Sequence, residues 1–371
     1  MTIATVRALI EPHDLERHPL ARAHTLPAQW YVAPDFYAFE LSHLFPRCWQ
    51  YVGHCSQLPS PGCYLVTDVA GRSVVVVRDQ GGTLRAFHNV CRHRAGPLAT
   101  RNGCGARVLQ CQYHGWTYTL EGRLRGIPYW DRVDLFDRRD YGLLPLFVEE
   151  WEGLIFVSLE QPFVSLSELL AEIRERIAPT DLRRLHFHTR VVYPIACNWK
   201  AYVDNYLEGY HVPIVHPELN KVLDYTHYVT ETYRYYSLQY SPFRADSDTT
   251  TYGQNAHEAF YYFIFPNMML NIVGSRLQVN LVQPLAAERC EVIFDYCYGD
   301  VCSEAAQAQI AADITYSDTV QREDGEICEW VQRGLRSGAY RTGRYSVERE
   351  EGVYHFHELL RDWLRIELAE G

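Results

Sequence analysis

Short apolar runs separated by turn residues dominate the chain between about residues 48 and 160. Residues 73–77 form a β-branched run, residues 79–82 read as a turn, and residues 84–87 begin the next run. Residues 153–159 end the region with one more apolar strand. Because the runs are short and joined by tight turns, the pattern predicts a small antiparallel all-β unit.

Outside this region the apolar residues follow helical spacing or form longer strands. A helix is predicted over residues 166–177, with Leu169, Leu170, Ile173 and Ile177 on one face. Further helices are predicted at residues 203–211, at 303–335 as one helix or two, and at 355–368. Longer strands are predicted at residues 185–195 and between residues 228 and 298.

These elements predict an α+β protein in which the small antiparallel all-β domain, residues 48–160, is inserted in a mixed α+β domain, residues 161–371. The second domain is expected to hold an antiparallel sheet with flanking helices that grip it in the manner of a bundle. Residues 1–47 read as an irregular lead with a short helix, and we expect this segment to pack on the second domain.

Composition narrows the classes of function. The chain has 371 residues, is 47% hydrophobic and 22% charged, and carries a formal net charge of −11. These are globular values, and the acidic balance argues against nucleic-acid binding because the field of the molecule repels phosphate. The sequence predicts neither a signal peptide nor a membrane span. Its 11 cysteines lack the density of a disulfide scaffold, so a reducing, cytoplasmic setting is expected.

The first motif with specific chemistry pairs one cysteine with one histidine in each of two turns. Cys91 and His93 are followed, after 17 residues, by Cys111 and His114. Two cysteines and two histidines suit either a tetrahedral zinc ion or a Rieske [2Fe–2S] cluster. Since each loop supplies one ligand of each kind, the Rieske cluster is favoured over zinc. The other nine cysteines are expected to be small buried hydrophobic residues.

The second motif lies about a hundred residues further along the chain. His211 and His216 are five residues apart, with Pro213 between them, so both side chains can face one cavity. Alone, such a pair is more often two core or surface histidines. When the pair follows a Rieske motif in the same chain, it predicts the two histidines of a two-histidine, one-carboxylate site for non-haem Fe(II). Such a site leaves positions open for dioxygen and substrate.

With both motifs present, the chain resembles the α-type subunit of the Rieske non-haem iron oxygenases over nearly its whole length. The resemblance implies a Rieske domain at 48–160, a catalytic mononuclear iron domain at 161–371, and His211 and His216 as iron ligands. It implies an aspartate on a C-terminal helix as third ligand, and Asp324 matches that place. The acidic residues near this position leave other choices open: Asp313, Asp318, Glu323 and Glu326.

A carboxylate three residues before the first histidine has a separate implied role. In the family it bridges the iron ligand and a Rieske histidine of the neighbouring subunit, here His114. Glu208 holds this position, where most members have Asp and the relatives acting on quaternary ammonium compounds have Glu. Such a carboxylate would also fix the tautomer of a ligating imidazole. Asp204 lies one turn earlier, and we expect it to support the same site.

The resemblance implies a terminal oxygenase that hydroxylates or oxidatively N-demethylates a small substrate with O₂, in a homotrimer. No G-x-G-x-x-G follows a predicted strand, so NAD(P)H is expected to act only through a separate flavin and iron–sulfur reductase or a ferredoxin. A non-catalytic Rieske electron-transfer protein is disfavoured, since it would end near residue 160.

The implied substrate is a quaternary ammonium compound, and an aromatic compound or aromatic acid is the alternative. A box of aromatic faces would bind trimethylammonium by cation–π attraction. Its candidates, which a sheet core explains equally well, are Tyr225, Tyr228, Tyr233, Tyr235, Tyr236, Tyr261, Tyr262 and Phe263.

Overall fold

The computed structural model describes residues 3–178, 180–222, 227–242 and 258–370. The chain divides into two compact units. Phe45–Leu166 form one, called here the β unit. Met1–Leu44 together with Ser167–Gly371 form the other, called the mixed unit.

The β unit consists of short antiparallel strands in two sheets. A six-stranded sheet has the order β1-β9-β8-β4-β3-β2, and a three-stranded sheet has the order β5-β6-β7. The strands are β1 (Gln50–His54), β2 (Tyr64–Val69), β3 (Arg72–Arg78), β4 (Leu84–His88), β5 (Leu109–Gln110), β6 (Thr117–Tyr118), β7 (Leu124–Gly126), β8 (Pro145–Trp151) and β9 (Leu154–Ser158).

Strand β3 is buried on both faces, which explains its uninterrupted run of valines. Val74 and Val76 pack in one hydrophobic cluster, whereas Val75 and Val77 pack in a second one with Trp116. Successive residues of a strand point to opposite faces, so a strand between two cores needs apolar residues at every position.

The mixed unit is built on a seven-stranded antiparallel sheet of order β10-β16-β15-β14-β13-β12-β11. Its strands are β10 (His186–Ile195), β11 (Val229–Thr232), β12 (Tyr236–Pro242), β13 (Glu258–Ile264), β14 (Met268–Val273), β15 (Arg276–Ala286) and β16 (Arg289–Tyr298). The α-helices of the chain are α1 (Ile3–Arg7), α2 (Gln29–Val32), α3 (Pro34–Phe39), α4 (Leu166–Leu169), α5 (Ile173–Ile177), α6 (Trp199–Tyr206), α7 (Val212–Val215), α8 (Leu219–Val222), α9 (Glu304–Arg336) and α10 (Glu351–Glu370). The predicted α+β class, with an all-β part and a mixed part, is confirmed.

Some helix bounds differ from the prediction for local reasons. The helix predicted over 166–177 is two short helices, because Glu172 between them has a left-handed backbone with φ of 67°. The helix predicted over 203–211 starts earlier, where the Asn198 side chain accepts from the backbone N–H of Lys200 and caps α6. It ends at Tyr206, before the histidine pair.

A buried ion pair joins α6 to the N-terminal segment. Lys200 Nζ lies 2.6 Å from Glu40 Oε1, and both side chains are fully buried. The indole N–H of Trp199 donates to the other Glu40 oxygen at 2.9 Å. The carboxylate is therefore satisfied on both oxygens, which fixes the segment before the β unit against the helix that precedes His211.

The prediction that all nine remaining cysteines are small buried hydrophobic residues is wrong for four of them, of which Cys55 is only half-buried. Cys63 and Cys104, which lie in the β unit, form a disulfide. Cys302 is exposed. In the described part of the chain, no helix is both long enough and apolar enough to cross a bilayer.

Candidate functional site

Helix α7 separates the two histidines of the second motif and turns them toward α9. His211 and His216 flank this four-residue helix, and the ring nitrogens Nε2 of the two lie 3.2 Å apart. Asp324 of α9 brings its Oδ1 to 2.9 Å from His216 Nε2 and 3.6 Å from His211 Nε2. Among the described residues, these three form the one cluster of His, Cys, Asp or Glu ligand atoms within 4.8 Å of one another.

The outer nitrogen of each imidazole faces a carboxylate. His211 Nδ1 lies 2.7 Å from Glu208 Oε1, and His216 Nδ1 lies 2.7 Å from Glu323 Oε2. Each contact requires a proton on Nδ1, which leaves the lone pair of Nε2 pointing inward. Two lone pairs that converge on a carboxylate oxygen repel it and each other, and a bound cation relieves that repulsion. The donor set is that of a facial triad for non-haem Fe(II).

The helices around the triad hold Asp324 in place. Asn205 Nδ2 of α6 donates to Asp324 Oδ1 at 2.6 Å. One helical turn before this contact on both helices, the Tyr202 hydroxyl donates to Gln321 Oε1 at 2.6 Å. These polar contacts set the rotation of α9 against α6, so that Asp324 meets the histidines.

A cavity of about 140 Å³ opens beside the triad. Its lining combines aromatic rings with amide side chains. The rings are Tyr202, Tyr206, Tyr228, Tyr261, Phe294 and Tyr316; the amides are Asn205, Gln239, Asn271, Gln278, Asn280 and Gln321.

The amides pin several of these rings. The Tyr206 hydroxyl donates to Asn271 Oδ1 at 2.6 Å, and the Tyr228 hydroxyl donates to Gln239 Oε1 at 2.8 Å. Burial raises the pKa of Tyr206 well above its ordinary value, so it stays a neutral phenol. The result is a preorganised pocket whose rings are held in place before a ligand binds.

In the β unit, two tight loops carry the first motif. The backbone N–H of Cys91 donates to Gly96 O at 2.8 Å, and that of Cys111 donates to Trp116 O at 2.8 Å. The loops are joined where the Gln112 N–H donates to Pro97 O at 3.2 Å. Both thiols are buried, and burial raises the pKa of Cys91, with the Cys111 thiol as a further contributor.

The two histidines of these loops lie next to each other. Their ring centroids are 4.7 Å apart, and the His93 ring stacks on Trp116 at 4.8 Å. His93 Nδ1 is buried without a hydrogen-bond partner in the described structure, as expected of a nitrogen kept for a metal.

The spread of the four donors argues against zinc. Ligands 2.0–2.3 Å from a single tetrahedral ion lie within about 4 Å of one another. In the described part of the chain no three of these four donor atoms meet even within 4.8 Å. The wider set, with one sulfur and one nitrogen from each loop, suits a two-iron cluster.

Comparison with known proteins agrees with both sites. Residues 48–137 match the Rieske [2Fe-2S] domain, and residues 182–366 match the ring hydroxylating alpha subunit (catalytic domain). A choline monooxygenase, chloroplastic, of Arabidopsis thaliana is 37% identical, over 98% of this chain and 88% of that protein. The chain belongs to the Rieske non-haem iron oxygenases. It is an oxidoreductase of the α-subunit type, a class whose cofactors are a [2Fe–2S] cluster and a mononuclear iron.

Other relatives of this oxygenase support the assignment. The carnitine monooxygenase oxygenase subunit of Acinetobacter pittii (strain PHEA-2) is 30% identical, over 94% of this chain and 97% of that protein. The crystal structure of a quaternary ammonium Rieske monooxygenase with L-carnitine superposes with a TM-score of 0.84 at 28% identity, covering 94% of this chain and 99% of that one. Naphthalene 1,2-dioxygenase from Rhodococcus sp. has the same fold, with a TM-score of 0.77 at 20% identity over 94% of this chain and 95% of that one.

The other acids considered for the third ligand position lie elsewhere in the oxygenase. Asp313 is buried against Arg276, and Asp318 pairs with Arg322 at 2.7 Å. Glu323 contacts the outer nitrogen of His216, and Glu326 is exposed. The face of α9 turned to the site carries Ser317, Gln321, Asp324 and Cys328 at helical spacing, which brings only Asp324 to the triad.

Asp204 faces a different group of side chains from Glu208. Its carboxylate accepts a hydrogen bond from the Tyr31 hydroxyl at 2.6 Å and lies 2.8 Å from His357 Nε2. His357 Nδ1 in turn lies 2.6 Å from the Tyr345 hydroxyl. Asp204 and Glu208 both line a second cavity of about 500 Å³ on this side of α6.

The sequence reasoning missed several groups at the site. Asn205 was not expected, although it lies one residue from Asp204. Glu323 was named only as an alternative third ligand, and its contact with the outer nitrogen of His216 was not expected. Of the predicted aromatic box, Tyr228 and Tyr261 line the cavity, whereas Tyr236, Tyr262 and Phe263 are buried outside its lining. Tyr233 and Tyr235 do not line it either, and Tyr225 lies outside the described residues.

Proposed function

We propose that this protein is the terminal oxygenase component that hydroxylates or oxidatively demethylates a small quaternary ammonium compound. The observation that carries the proposal is the small cavity beside His211, His216 and Asp324, lined by aromatic rings, several of which amide side chains hold in place. Its volume of about 140 Å³ lies below the 300–1,000 Å³ usual for drug-sized ligands, so a compact substrate fits best.

Aromatic faces attract a trimethylammonium group by cation–π interaction, which is strongest where water is excluded. Tyr206 of α6, Tyr228 just before β11 and Tyr261 of β13 line the same cavity. Relatives named for choline and carnitine oxidation support the same class of substrate.

An aromatic substrate, the alternative, fits the lining less well. A hydrocarbon ring would offer no acceptor to Gln321 Nε2, which belongs to a cavity-lining residue and is buried without a hydrogen-bond partner in the described structure, and covering an unpaired polar group costs free energy. The resemblance to naphthalene dioxygenase concerns the fold alone.

In this proposal Cys91, His93, Cys111 and His114 hold the [2Fe–2S] cluster, and His211, His216 and Asp324 hold Fe(II). When bound, the cluster supplies single electrons and the mononuclear iron supplies the site at which O₂ is activated. Glu208 and Glu323 keep the Nδ1 protons in place and the Nε2 lone pairs directed inward. Asn205 fixes the carboxylate of Asp324, and the tyrosines orient the cationic end of the substrate.

The electrons come from a separate reductase, of the flavin and iron–sulfur type or a ferredoxin, and we propose a homotrimer. Glu208 supports the trimer: it lines both cavities, and exposed apolar residues lie near it, with Tyr210 55% and Ile214 83% exposed. In the β unit, Tyr113 beside His114 is 58% exposed. These patches suit contact between copies, in which Glu208 would reach the Rieske histidine of the neighbour.

A cytoplasmic location stays a proposal, based on the thiols the cluster requires; the Cys63–Cys104 disulfide does not support it. Relatives from plants are named as chloroplastic.

Turnover with defined substrates tests the proposed function. The holoenzyme, supplied with a surrogate reductase, NADH and O₂, is offered choline, glycine betaine, carnitine and benzoate, and products are identified by mass spectrometry. Coupled oxidation of a quaternary ammonium compound, abolished in His211→Ala, supports the proposal. Oxidation of benzoate alone, with uncoupled peroxide from every quaternary compound, contradicts it.

A further inference from the structure

One wall of the cavity carries a connected row of polar side chains on strand β15. Arg276, Gln278 and Asn280 alternate along the strand, so all three side chains lie on the face that lines the cavity. Among the described residues that line the cavity, Arg276 is the only Arg or Lys.

The positive charge of Arg276 is already neutralised. Its Nε donates to Asp313 Oδ2 at 2.5 Å, and the Tyr298 hydroxyl donates to the same oxygen at 2.6 Å. The side chains of Arg276 and Asp313 are 9% and 1% exposed, so water screens this attraction little. The wall therefore presents no net charge to a substrate.

The edge of the guanidinium formed by Nε and Nη2 is also occupied. Arginine binds a carboxylate best through two parallel N–H groups, such as those of Nε and one terminal nitrogen. In this protein Nε is bonded to Asp313, and Nη2 donates to Gln278 Oε1. A substrate carboxylate could use that fork only by displacing both partners.

The row ends in a donor that the protein leaves open toward the cavity. Gln278 Nε2 donates to Asn280 Oδ1 at 2.8 Å, which fixes the orientation of the Asn280 amide. Asn280 is 2% exposed, and within the described ranges no partner accepts from its Nδ2. Asn280 lines the cavity, so an acceptor on a ligand can pair with this N–H₂ group.

We propose that this row makes the oxygenase selective for quaternary ammonium compounds whose far end is an uncharged hydrogen-bonding group, such as a hydroxyl, and selective against those that end in a carboxylate. Asn280 recognises the oxygen of that group, and Asp313 keeps Arg276 from acting as a carboxylate anchor. This inference rests on the proposed function, since it divides the quaternary ammonium class by the charge of the second group.

Calorimetric binding to the holoenzyme tests the inference with three probes: tetramethylammonium, choline and glycine betaine. Choline and glycine betaine share the trimethylammonium group and differ in a hydroxyl against a carboxylate. We expect choline to bind at least tenfold more tightly than glycine betaine. If neither tetramethylammonium nor choline binds, the proposed function fails; if glycine betaine binds as tightly as choline, only the present inference fails.

Variants assign the effect to residues. Asn280→Ala should weaken the binding of choline at least fivefold. It should change the binding of tetramethylammonium, which has no hydroxyl, by less than twofold. Asp313→Asn should raise the affinity for glycine betaine relative to that for choline at least tenfold, because the charge of Arg276 is then uncompensated. The matched control is Asp295→Asn: Asp295 is equally buried and paired with Arg190, an arginine of the same sheet that, unlike Arg276, does not line the cavity.

Arg276→Gln gives an independent result if Asp313→Asn does not fold. If Arg276 does not bind the substrate carboxylate, its replacement should leave glycine betaine binding unchanged or make it tighter. A selective loss of glycine betaine binding by tenfold or more in Arg276→Gln would overturn the inference, because it would show that the arginine holds a carboxylate.

Discussion

At the scale of the residue, the orientation of each imidazole decides what the site can bind. His211 and His216 turn Nε2 inward because a carboxylate holds each Nδ1. For Glu208 this contact comes from its own chain segment, whereas Glu323 reaches His216 from a helix over one hundred residues away. Removing such a partner costs metal affinity even though the ligand itself remains.

Glu323→Gln is expected to lower the affinity for Fe(II) about 10- to 100-fold, since the amide can no longer fix the proton on His216 Nδ1 as a charged acceptor does. Titration of the iron-free protein with Fe(II) measures this. Glu326→Gln is the matched control, because Glu326 is an exposed carboxylate on the same helix. Equal iron affinity in both variants would count against the role given to Glu323.

Gly96 in the first cluster loop has no room for a side chain. A Cβ there would lie 2.9 Å from Cys111 Sγ and 3.0 Å from Tyr113 Cβ. Gly96→Ala should therefore displace the Cys111 thiol and reduce the [2Fe–2S] content of a protein that still folds, measured by the EPR signal of the reduced cluster. Gly81→Ala, whose Cβ would be 3.4 Å from Asp79 Oδ1, should retain the full signal. An unchanged signal in Gly96→Ala would mean that the loop tolerates the side chain.

At the scale of the element, α6 connects the N-terminal segment, the site and α9. Its first turn holds Glu40 through Lys200, and its last turn holds Asp324 through Asn205. Burial lowers the pKa of Lys200, and the carboxylate of Glu40 opposes that shift. Each charge of this buried pair is therefore stabilised by the other.

Lys200→Met should destabilise the protein by about 3–5 kcal/mol, because it leaves the Glu40 carboxylate buried without a cation. Chemical denaturation followed by tryptophan fluorescence measures the loss. The double variant Glu40→Leu with Lys200→Met should recover much of it, since an apolar pair of similar volume leaves no buried charge. A double variant that is no more stable than the single one would show that packing, and not charge, governs this contact.

At the scale of the whole molecule, the proposed trimer places the cluster of one subunit at the iron of the next. Such a heterologous contact uses different surfaces on its two sides and closes into a ring. Complementation between inactive variants follows from this arrangement.

Co-expression of Cys111→Ala, which lacks the cluster, with His211→Ala, which lacks the iron site, should restore activity. With random assembly about a quarter of the junctions join an intact cluster to an intact iron site, so about a quarter of wild-type turnover is expected. Each variant expressed alone is the control and should be inactive. Mixed assemblies without activity would show that electrons stay within one chain.

The sequence by itself determined the class of protein and most of the donor atoms. Cys-x-His and Cys-x-x-His encode a loop geometry in a few adjacent residues, and the His-x4-His pair encodes its own helix, so local spacing was sufficient. The fold class followed from short strands with tight turns on one side and longer strands with helical periodicity on the other.

Only the tertiary structure decided which acid joins the histidines and which side chains line the cavity. Along α9 five acids lie within 14 residues, and their spacing alone does not show which one faces the site; the contacts of Asn205 and Gln321 set that rotation. The pairing of Arg276 with Asp313 joins a strand to a helix 37 residues away, and no sequence pattern records that this charge is neutralised. Hydrogen bonds between distant elements depend on packing, which the order of residues specifies only through the folded chain.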